Sequence, residues 1–477
     1  MTLETIKNKI KSVTIEDILC LFVILCPVLD MISFIFRNAV GTNFSPSTFL
    51  RPLIPILVIG YIFFKKGEKK QLIFGFFIYA VYGLVHLWLF QKIKTESSYG
   101  GLTNELQYII NYSFMILNLF LYTYIFRKGD SKKLKKVVLI ALSIYIVSIF
   151  IAIITGTSSP TYIEGLGYKG WFESGNSLCA ILCLSLCIVL PLIKEKEYRY
   201  WTLTIVLLTG IFLATLVGTR TGLIGFVLVV FFYITAELFT AIIRKIQVDI
   251  KTVVIGTLAI VMIIGLVFAF GSKTIERRSH LKEIENNIVD NETGEIAHIS
   301  GDLLDLTKKI QKGEINDEYM SKPARQAILD LYSYAEKTNM VNNDMRKQQL
   351  VYNYYLVKND HSISKVLFGN GYKAQFRELV MEMEIPSFLF NFGILGFMLY
   401  FGPFLSLFIY SCYFAIRNIK KIDASYILLL GGDVLGFALS FLSGYTFFNA
   451  SSSLIIVIIN VLLINRIKQI KEQEWKK

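Results

Sequence analysis

Long apolar blocks alternate with short charged segments along most of the chain. Each block runs for roughly 17–25 residues, the length at which a helix crosses the hydrocarbon core of a bilayer. This pattern predicts an all-α polytopic membrane protein with about twelve transmembrane helices. The predicted spans are 15–36, 48–64, 71–90, 105–126, 134–154, 174–193, 201–217, 219–243, 252–271, 385–415, 424–444 and 448–466.

One long polar segment interrupts this alternation between the ninth and tenth spans. We therefore expect transmembrane helices 1–9 in 1–271, an extracytoplasmic loop domain in 272–384, helices 10–12 in 385–466, and a cytoplasmic tail in 467–477. The loop is nearly neutral, with 16 Lys and Arg against 18 Asp and Glu. A loop of this size indicates chemistry or binding on the outer face.

The loop is predicted to be partly helical. One helix follows Pro323, because apolar residues recur there at helical spacing. A second helix is predicted after a cap at Asn343 or Asp344, with a looser apolar stripe. The first stripe consists of Ala324, Ile328, Leu331 and Ala335, and the second of Met345, Leu350, Tyr354 and Val357.

Composition narrows the class of protein further. Apolar residues make up 54% of the chain and charged residues only 18%, which excludes a soluble enzyme, a secreted disulfide scaffold and a disordered chain. The net charge of +13 is compatible with nucleic-acid binding. However, the basic residues stand in short clusters between apolar blocks, as in the cytoplasmic loops of membrane proteins, so no nucleic-acid partner is expected.

The distribution of Lys and Arg predicts the orientation. With the N-terminus inside, the inner segments carry 27 of the 49 basic residues and the short outer segments carry six. The long loop does not count, because long segments cross regardless of their charge. Both termini are therefore predicted to be cytoplasmic. The first apolar block is too long for a signal peptide and is interpreted as a retained helix.

Cysteine and histidine provide no sign of a redox or metal site. All six cysteines fall inside predicted spans, so no structural disulfide is expected. Cys179, Cys183 and Cys187 lie on one helix face, where small packing residues at a helix interface are favoured over metal or redox use. The four histidines lack metal-ligand spacing. We expect no metal and no cofactor.

Ionisable residues at membrane depth are the strongest functional candidates, because placing a charge there is costly. Arg220 lies in a tight outer turn flanked by Gly218 and Gly222, where its planar guanidinium suits phosphate oxygens. The alternative is an arginine that snorkels at a helix end. Asp30 lies near the outer face with Arg37 or Arg51 as partner, whereas Asp433, near mid-bilayer, is interpreted as a buried structural carboxylate rather than a proton relay.

Glu382 and Glu384 stand where the long loop re-enters the membrane. A carboxylate beside an apolar wall suits general-base chemistry, because burial raises its pKa. The alternative is an ordinary acidic helix start before Pro386.

Three stretches together resemble a known family. They are GYKGWFESGNSLCAI, TLVGTRTGLIGF, and MRKQQLVYNYYLVKNDHSISKVLFGNGY followed by MEMEIPSFLFNFGILGFMLYF. In this order, on a chain with many spans and one large outer loop, they resemble the O-antigen polymerase and O-antigen ligase-like superfamily. Its members are bacterial surface-polysaccharide polymerases and ligases of the cytoplasmic membrane. They act on its outer face on glycans carried by polyprenyl pyrophosphate, such as undecaprenyl pyrophosphate.

The resemblance assigns roles to particular residues. Arg220 matches the arginine of the family's T-x-R-x-G turn, and Arg346 matches an arginine at the start of a helix that leads to a G-x-G turn. Both are expected to bind the pyrophosphate. The family's base lies nine to eleven residues before the glycine of G-I-x-G, which here is Gly393. Glu384 and Glu382 occupy these positions as candidate catalytic bases. Ligases often carry histidine there, whereas E-x-E is typical of relatives from Gram-positive bacteria.

The implied substrate is a lipid-linked oligosaccharide, and membrane lipid is a second partner. A flippase and a chain-length regulator of the same pathway are further possible partners. Five residues are secondary candidates for the lining of the outer cavity: Asn176, Lys169, Glu173, Arg51 and Tyr354.

The preferred interpretation is a metal-independent glycosyltransferase that polymerises repeat units of a capsule or exopolysaccharide. A ligase or wall-attachment transferase of the same fold is one alternative. A lipid-linked oligosaccharide flippase is another, although no half-to-half repeat is evident. An outer-face sensor or structural protein is the last. The sequence does not predict the sugars or the linkage.

Overall fold

The computed structural model describes most of the chain. The described residues are 14–41, 46–66, 69–91, 101–127, 131–162, 165–245, 254, 256–258, 261–262, 265–267, 272–277, 279, 298–299, 301–317, 319–340, 345–372 and 379–475. These residues form helices and connecting turns, with no β-strand among them apart from an isolated bridge between Pro160 and Tyr168. The all-α prediction is therefore confirmed.

The α-helices are numbered here in chain order. They are α1 (Ile15–Ile35), α2 (Pro46–Lys66), α3 (Lys69–Phe90), α4 (Leu102–Phe126), α5 (Ser131–Ile154), α6 (Gly175–Val189), α7 (Arg199–Ile211), α8 (Arg220–Arg244), α9 (Asp302–Gln311), α10 (Lys322–Lys337), α11 (Met345–Asp360), α12 (Ile363–Phe368), α13 (Glu384–Gly396), α14 (Gly402–Arg417), α15 (Ala424–Leu442) and α16 (Ala450–Trp475).

The apolar helices agree with the predicted spans. Within the described residues, nine helices are long and apolar enough to cross a membrane, which makes the chain a multi-pass membrane protein. Two shorter apolar helices, Leu50–Phe64 and Gly75–Phe90, coincide with the second and third predicted spans. The ninth predicted span, 252–271, lies largely outside the described residues. The total of twelve and the orientation therefore stay predictions.

Helix α6 occupies the centre of the bundle. All of its residues except Asn176 are buried, and it contacts α5, α8, α15 and α16. Its thiols fit beneath two glycines of α8, since a Cβ on Gly222 or Gly225 would lie 2.9 Å from the Sγ of Cys179 or Cys183. All six cysteines are free. This contact agrees with the predicted packing role of the cysteines.

Outside the bundle, α9, α10 and α11 surround a small apolar core of their own. Helix α10 starts with Pro323 in its first turn and buries the predicted stripe. For α11 the helix is confirmed, but its looser apolar stripe is not the buried face, because Leu350 and Tyr354 are exposed. The buried face is partly polar and includes Gln348, Gln349, Tyr352, Asn353 and Leu356.

The polar residues of α11 are buried because they bind backbone groups of neighbouring segments. Gln348 donates to the carbonyl of His298 at 3.3 Å, and Asn353 donates to that of Leu379 at 3.5 Å. A hydropathy pattern does not reveal such a face, since it treats an amide side chain as exposed.

The two aspartates that the sequence places at membrane depth both accept hydrogen bonds. Asp30 accepts a hydrogen bond from Arg51 at 2.5 Å, and also from the hydroxyls of Tyr145 and Ser451. Arg51 is thus the partner of Asp30. Asp433, inside α15, accepts a hydrogen bond from the amide of Asn460 at 2.8 Å, which favours the structural interpretation of this carboxylate.

Candidate functional site

Arg220 is the first residue of α8, directly after a tight turn. Gly218 has a φ of 78°, a conformation that favours glycine. Thr219 is the N-cap, and its hydroxyl accepts a hydrogen bond from the amide of Gly222 at 3.1 Å. The Arg220 side chain is exposed. Arg220 therefore lies at the positive end of a helix dipole, where bound anions are stabilised.

The segment before α6 packs on one side of this turn. The amide of Tyr168 donates to the carbonyl of Leu216 at 2.9 Å, and the hydroxyl of Thr161 donates to that of Val217 at 2.7 Å. A Cβ on Gly167 would lie 2.4 Å from the oxygen of Val217, so the two backbones are in direct contact.

The short helical segment 273–277 also packs against the turn. The hydroxyl of Ser272 donates to the carbonyl of Ala214 at 2.9 Å, and that of Thr274 donates to Thr219 at 3.4 Å. Two segments that are distant in sequence therefore set the position of Arg220.

The charges of three arginines act on Tyr162, which belongs to the segment before α6. The guanidinium carbon of Arg277 lies 3.2 Å from the centre of the Tyr162 ring. Burial raises the pKa of the Tyr162 hydroxyl, and the nearby charges of Arg277, Arg346 and Arg220 act in the opposite direction. We call Arg220, Arg277 and Arg346 the arginine cluster. Sequence reasoning found two of its members but missed Arg277, which stands in a run of charged residues without a motif.

Arg346 brings a carboxylate to the cluster. It is the second residue of α11, and its Nε lies 3.5 Å from a carboxylate oxygen of Glu382. Both side chains are about two-fifths exposed, at 41% and 40%. The backbone amide of Glu382 donates to the side chain of Gln349 at 3.0 Å, one turn further along α11. Helix α11 therefore positions both members of the pair.

Glu384 has a different environment, although it stands only two residues away. Its side chain is buried, and its two oxygens accept hydrogen bonds from the amides of Thr446, Phe447 and Phe448 at 2.6 to 2.9 Å. Met383 between the glutamates is extended, so the two side chains leave the backbone in opposite directions. Glu384 binds the turn between α15 and α16, whereas Glu382 contacts the arginine cluster.

The G-x-G turn and the G-I-x-G segment touch backbone to backbone. Gly369 and Gly393 have φ values of 85° and 70°. A Cβ on Gly369 would lie 2.2 Å from the carbonyl carbon of Asn391, and one on Gly393 would lie 2.4 Å from that of Leu367. The amide of Asn370 donates to the carbonyl of Phe390 at 2.7 Å. This contact fixes α13, and with it Glu382, relative to α11.

Three of the secondary candidates, Glu173, Lys169 and Arg51, are charged residues that interact with Arg37 and Asp30. Glu173 pairs with Arg37 at 2.6 Å, and the ammonium of Lys169 donates to the Glu173 carbonyl at 2.9 Å. Burial raises the pKa of Glu173 and lowers that of Lys169. Arg51 is only 13% exposed and is occupied by Asp30, so it is less available than the sequence suggested.

The other two secondary candidates lie apart from this group. The amide of Asn176 lies 3.5 Å from the carbonyl of Ser443, at the turn that Glu384 binds. Tyr354 is exposed on α11, with its ring centre 5.4 Å from that of Tyr355. Over the ranges that the structure describes, no three His, Cys, Asp or Glu side chains come together in a group able to hold a metal ion.

Comparison with known proteins extends over almost the whole chain. A family model described as "O-antigen ligase like membrane protein" matches residues 12–470. The match includes the arginine cluster, both glutamates and the secondary candidates. A search among curated proteins finds no match.

Proposed function

The chain belongs to the O-antigen ligase-like family of membrane proteins, and we propose that it polymerises lipid-linked oligosaccharide repeat units into a surface polysaccharide. The donor is a glycan on a polyprenyl pyrophosphate, such as undecaprenyl pyrophosphate, at the outer face of a bacterial cytoplasmic membrane. The observation that carries this proposal is the pairing of Arg346 with the exposed carboxylate of Glu382, near enough to Arg220 and Arg277 that all three charges act on Tyr162.

The arginines suit a diphosphate leaving group. Guanidinium groups bind phosphate oxygens through two parallel hydrogen bonds. When such donors already point at the position where negative charge develops, they stabilise the transition state. Arg220 and Arg346 therefore bind the diphosphate of the donor and stabilise its departure.

The transfer itself needs one base. A terminal hydroxyl of the acceptor glycan attacks the anomeric carbon of the donor, and a carboxylate takes the hydroxyl proton. A new C–O bond forms, the C–O bond to the phosphate breaks, and the lipid diphosphate leaves with its electron pair. The protonated carboxylate then returns its proton to water.

Glu382 is the preferred base. Its carboxylate is 40% exposed and its partner, Arg346, is also a proposed diphosphate ligand. A diphosphate that takes the hydrogen bonds of Arg346 leaves Glu382 free to accept a proton. Glu384 suits this role less well, because both of its oxygens already accept backbone hydrogen bonds.

A ligase that transfers the glycan to a cell-surface acceptor is the second candidate. The description of the family model favours it, since the word ligase names that reaction. The presence of Glu382 and Glu384 at the positions where ligases often carry histidine favours the polymerase.

Deletion of the gene in its host separates these functions. Lipid-linked glycans are extracted from the membrane and profiled by mass spectrometry. Single repeat units on the outer leaflet without polymer are expected for a polymerase. Full-length polymer that stays on its carrier would indicate a ligase. Single units trapped on the inner leaflet would indicate a flippase and would contradict both transferase functions.

A further inference from the structure

Arg277 is a half-buried arginine whose guanidinium has no acidic partner among the described residues. Arg37, Arg51, Arg325, Arg346 and Arg466 each lie within ion-pair distance of a carboxylate. Arg277 has no such partner within the described part of the chain, and its Nε is buried without a hydrogen-bond acceptor. The adjacent Glu276 pairs with Lys273 at 2.7 Å instead.

Tyr162 holds the Arg277 guanidinium in place. The guanidinium carbon stands 3.2 Å above the ring, a cation–π contact that stabilises the charge but leaves the in-plane N–H groups without acceptors. The backbone that carries Arg277 is fixed as well, through Ser272 and Thr274 on the Arg220 turn. Arg277 therefore presents unused donors at a fixed position.

The cluster as a whole carries more positive charge than the described carboxylates around it neutralise. Its three guanidiniums all act on the Tyr162 hydroxyl, and Glu382 is the acidic side chain described in contact with any of them. Like charges that act on the same site repel one another, and partial burial strengthens the repulsion. A bound polyanion removes this cost, and it can accept a hydrogen bond from the buried Arg277 Nε, which has no protein acceptor.

The negative charge on the lipid diphosphate increases when the sugar leaves. Three arginines neutralise this larger charge better than two. A glycan-bound lipid diphosphate carries one negative charge on each phosphate. When the sugar leaves, the terminal phosphate becomes a monoester, whose second ionisation near pH 6 adds most of another charge at neutral pH.

We propose that Arg277 is a third diphosphate-binding residue, held by the Tyr162 ring and directed at the phosphate from which the sugar departs. This inference rests on the proposed function. Because it binds the charge that appears as the sugar leaves, Arg277 should contribute more to binding of the released lipid diphosphate than to binding of the glycosylated donor.

Binding to two defined lipids tests this assignment. The full-length protein is purified into lipid nanodiscs, and calorimetry measures its affinity for undecaprenyl diphosphate and for undecaprenyl diphosphate linked to one N-acetylglucosamine. Arg277→Gln is expected to weaken binding of the free diphosphate about tenfold more than binding of the glycosylated one, because one charge-assisted hydrogen bond contributes at least that factor. Arg220→Gln is expected to weaken both.

Three control variants complete the experiment. Arg325→Gln, on α10 and paired with Asp317, should leave both affinities unchanged. Tyr162→Phe keeps the ring and should behave like the wild type, whereas Tyr162→Ala should behave like Arg277→Gln. Equal weakening in Tyr162→Phe and Tyr162→Ala would assign the effect to the hydroxyl and overturn the role of the ring.

The outcomes separate this inference from the proposed function. If the wild type binds neither lipid, the proposed function fails. If the wild type binds both and Arg220→Gln weakens them while Arg277→Gln changes nothing, or changes both affinities equally, the role of Arg277 alone is overturned.

Discussion

At the scale of single residues, the two glutamates of the E-x-E segment have opposite environments. Glu382 is exposed next to Arg346, while Glu384 is 2% exposed and accepts three backbone amides. A carboxylate that satisfies buried backbone donors stabilises the fold, and an exposed one beside a substrate site is free to accept a proton. Substitution of Glu382 should therefore affect activity, whereas substitution of Glu384 should affect stability.

Glu382→Gln is expected to abolish polymer formation without changing the melting temperature or the membrane level of the protein. Glu384→Gln is expected to lower the melting temperature by a few degrees, because its amide group faces backbone N–H donors at a cost of about 1–3 kcal/mol. Polymer length on gels and thermal unfolding of the purified variants measure the two effects. Normal polymer from Glu382→Gln would reject this carboxylate as the base.

Arg220 offers a test of bidentate phosphate binding. Arg220→Ala should reduce polymerisation by at least about 10²-fold, and Arg220→Lys should restore only part of it, since an ammonium does not reproduce the planar fork. Immunoblotting should show normal amounts of both variants in the membrane, because the Arg220 side chain is exposed. Full activity of Arg220→Ala would support a snorkelling arginine instead.

The raised pKa of Glu173 predicts that the stability of the protein depends on pH. Burial raises its pKa in spite of the adjacent Arg37, so the folded protein binds the proton more tightly than the unfolded chain does. The stabilisation from this group is complete below the ordinary pKa of 4.5 and is lost as the pH rises through the raised value. Glu173→Gln should therefore be more stable than the wild type at pH 7.5, by about one or two degrees.

This advantage of Glu173→Gln should shrink as the pH falls toward 4.5. Thermal unfolding across this range measures it, with Lys169→Gln as a matched variant in the same charged group. A less stable Glu173→Gln at pH 7.5 would mean that the ion pair with Arg37 outweighs the cost of burial.

The sequence predicts these residues to different degrees. Arg220 and Arg346 stand in recognisable motifs, and E-x-E marks the glutamates. Arg277 lies in the segment KTIERRSH, where no local motif distinguishes it from the neighbouring basic residues. Its distinction comes from Tyr162, more than a hundred residues earlier. The role of Glu384 likewise depends on the amides of 446–448, a contact that local sequence does not encode.

At the scale of elements, two glycines join α12 to α13. Gly369→Ala and Gly393→Ala each force a Cβ against backbone atoms at 2.2–2.4 Å and at a positive φ. We expect each change to cost several kcal/mol and to remove polymerisation together with stability. Thermal unfolding and polymer length should fall together.

Gly60→Ala is the matched control for these two variants. Gly60 lies inside α2 with nothing within 4 Å of an added Cβ, so alanine should be neutral or slightly stabilising there. Stable and active Gly369→Ala and Gly393→Ala variants would show that this backbone contact does not fix the site.

Hydropathy predicted the presence of helices more reliably than it predicted which face of each helix is buried. Blocks of apolar residues long enough to cross a bilayer admit essentially one backbone conformation, because a helix satisfies its own hydrogen bonds in lipid. The loop helix α11 obeys no such rule, and its buried Gln349 and Asn353 were missed because they bind backbone groups of other segments. The kink of α13 at Gly393 was missed for a related reason, since its cause is the approach of 367–369.

At the scale of the whole molecule, the candidate site draws on segments from widely separated parts of the chain. The segment before α6 contributes Tyr162, the first turn of α8 contributes Arg220, and segment 273–277 contributes Arg277. Helix α11 supplies Arg346, and the residues just before α13 supply Glu382. A site assembled in this way from the tips of packed helices is pre-organised by the bundle beneath it. It can stabilise developing charge without first rearranging.

The positions of Arg244 and Ser272 predict one more membrane-spanning segment between them. Arg244, at the end of α8, donates to the carbonyl of Lys421, beside the charged turn between α14 and α15 that is predicted to be cytoplasmic. Ser272 binds Ala214 next to the Arg220 turn, at the opposite end of α8. The chain must therefore pass from one end of the bundle to the other between these points.

Alkaline phosphatase fused after residue 247 should be inactive and after residue 285 active, while green fluorescent protein at the C-terminus should fluoresce. Equal phosphatase activity at both points would reject the crossing at 252–271, and with it the placement of Arg277 on the same side of the membrane as the diphosphate.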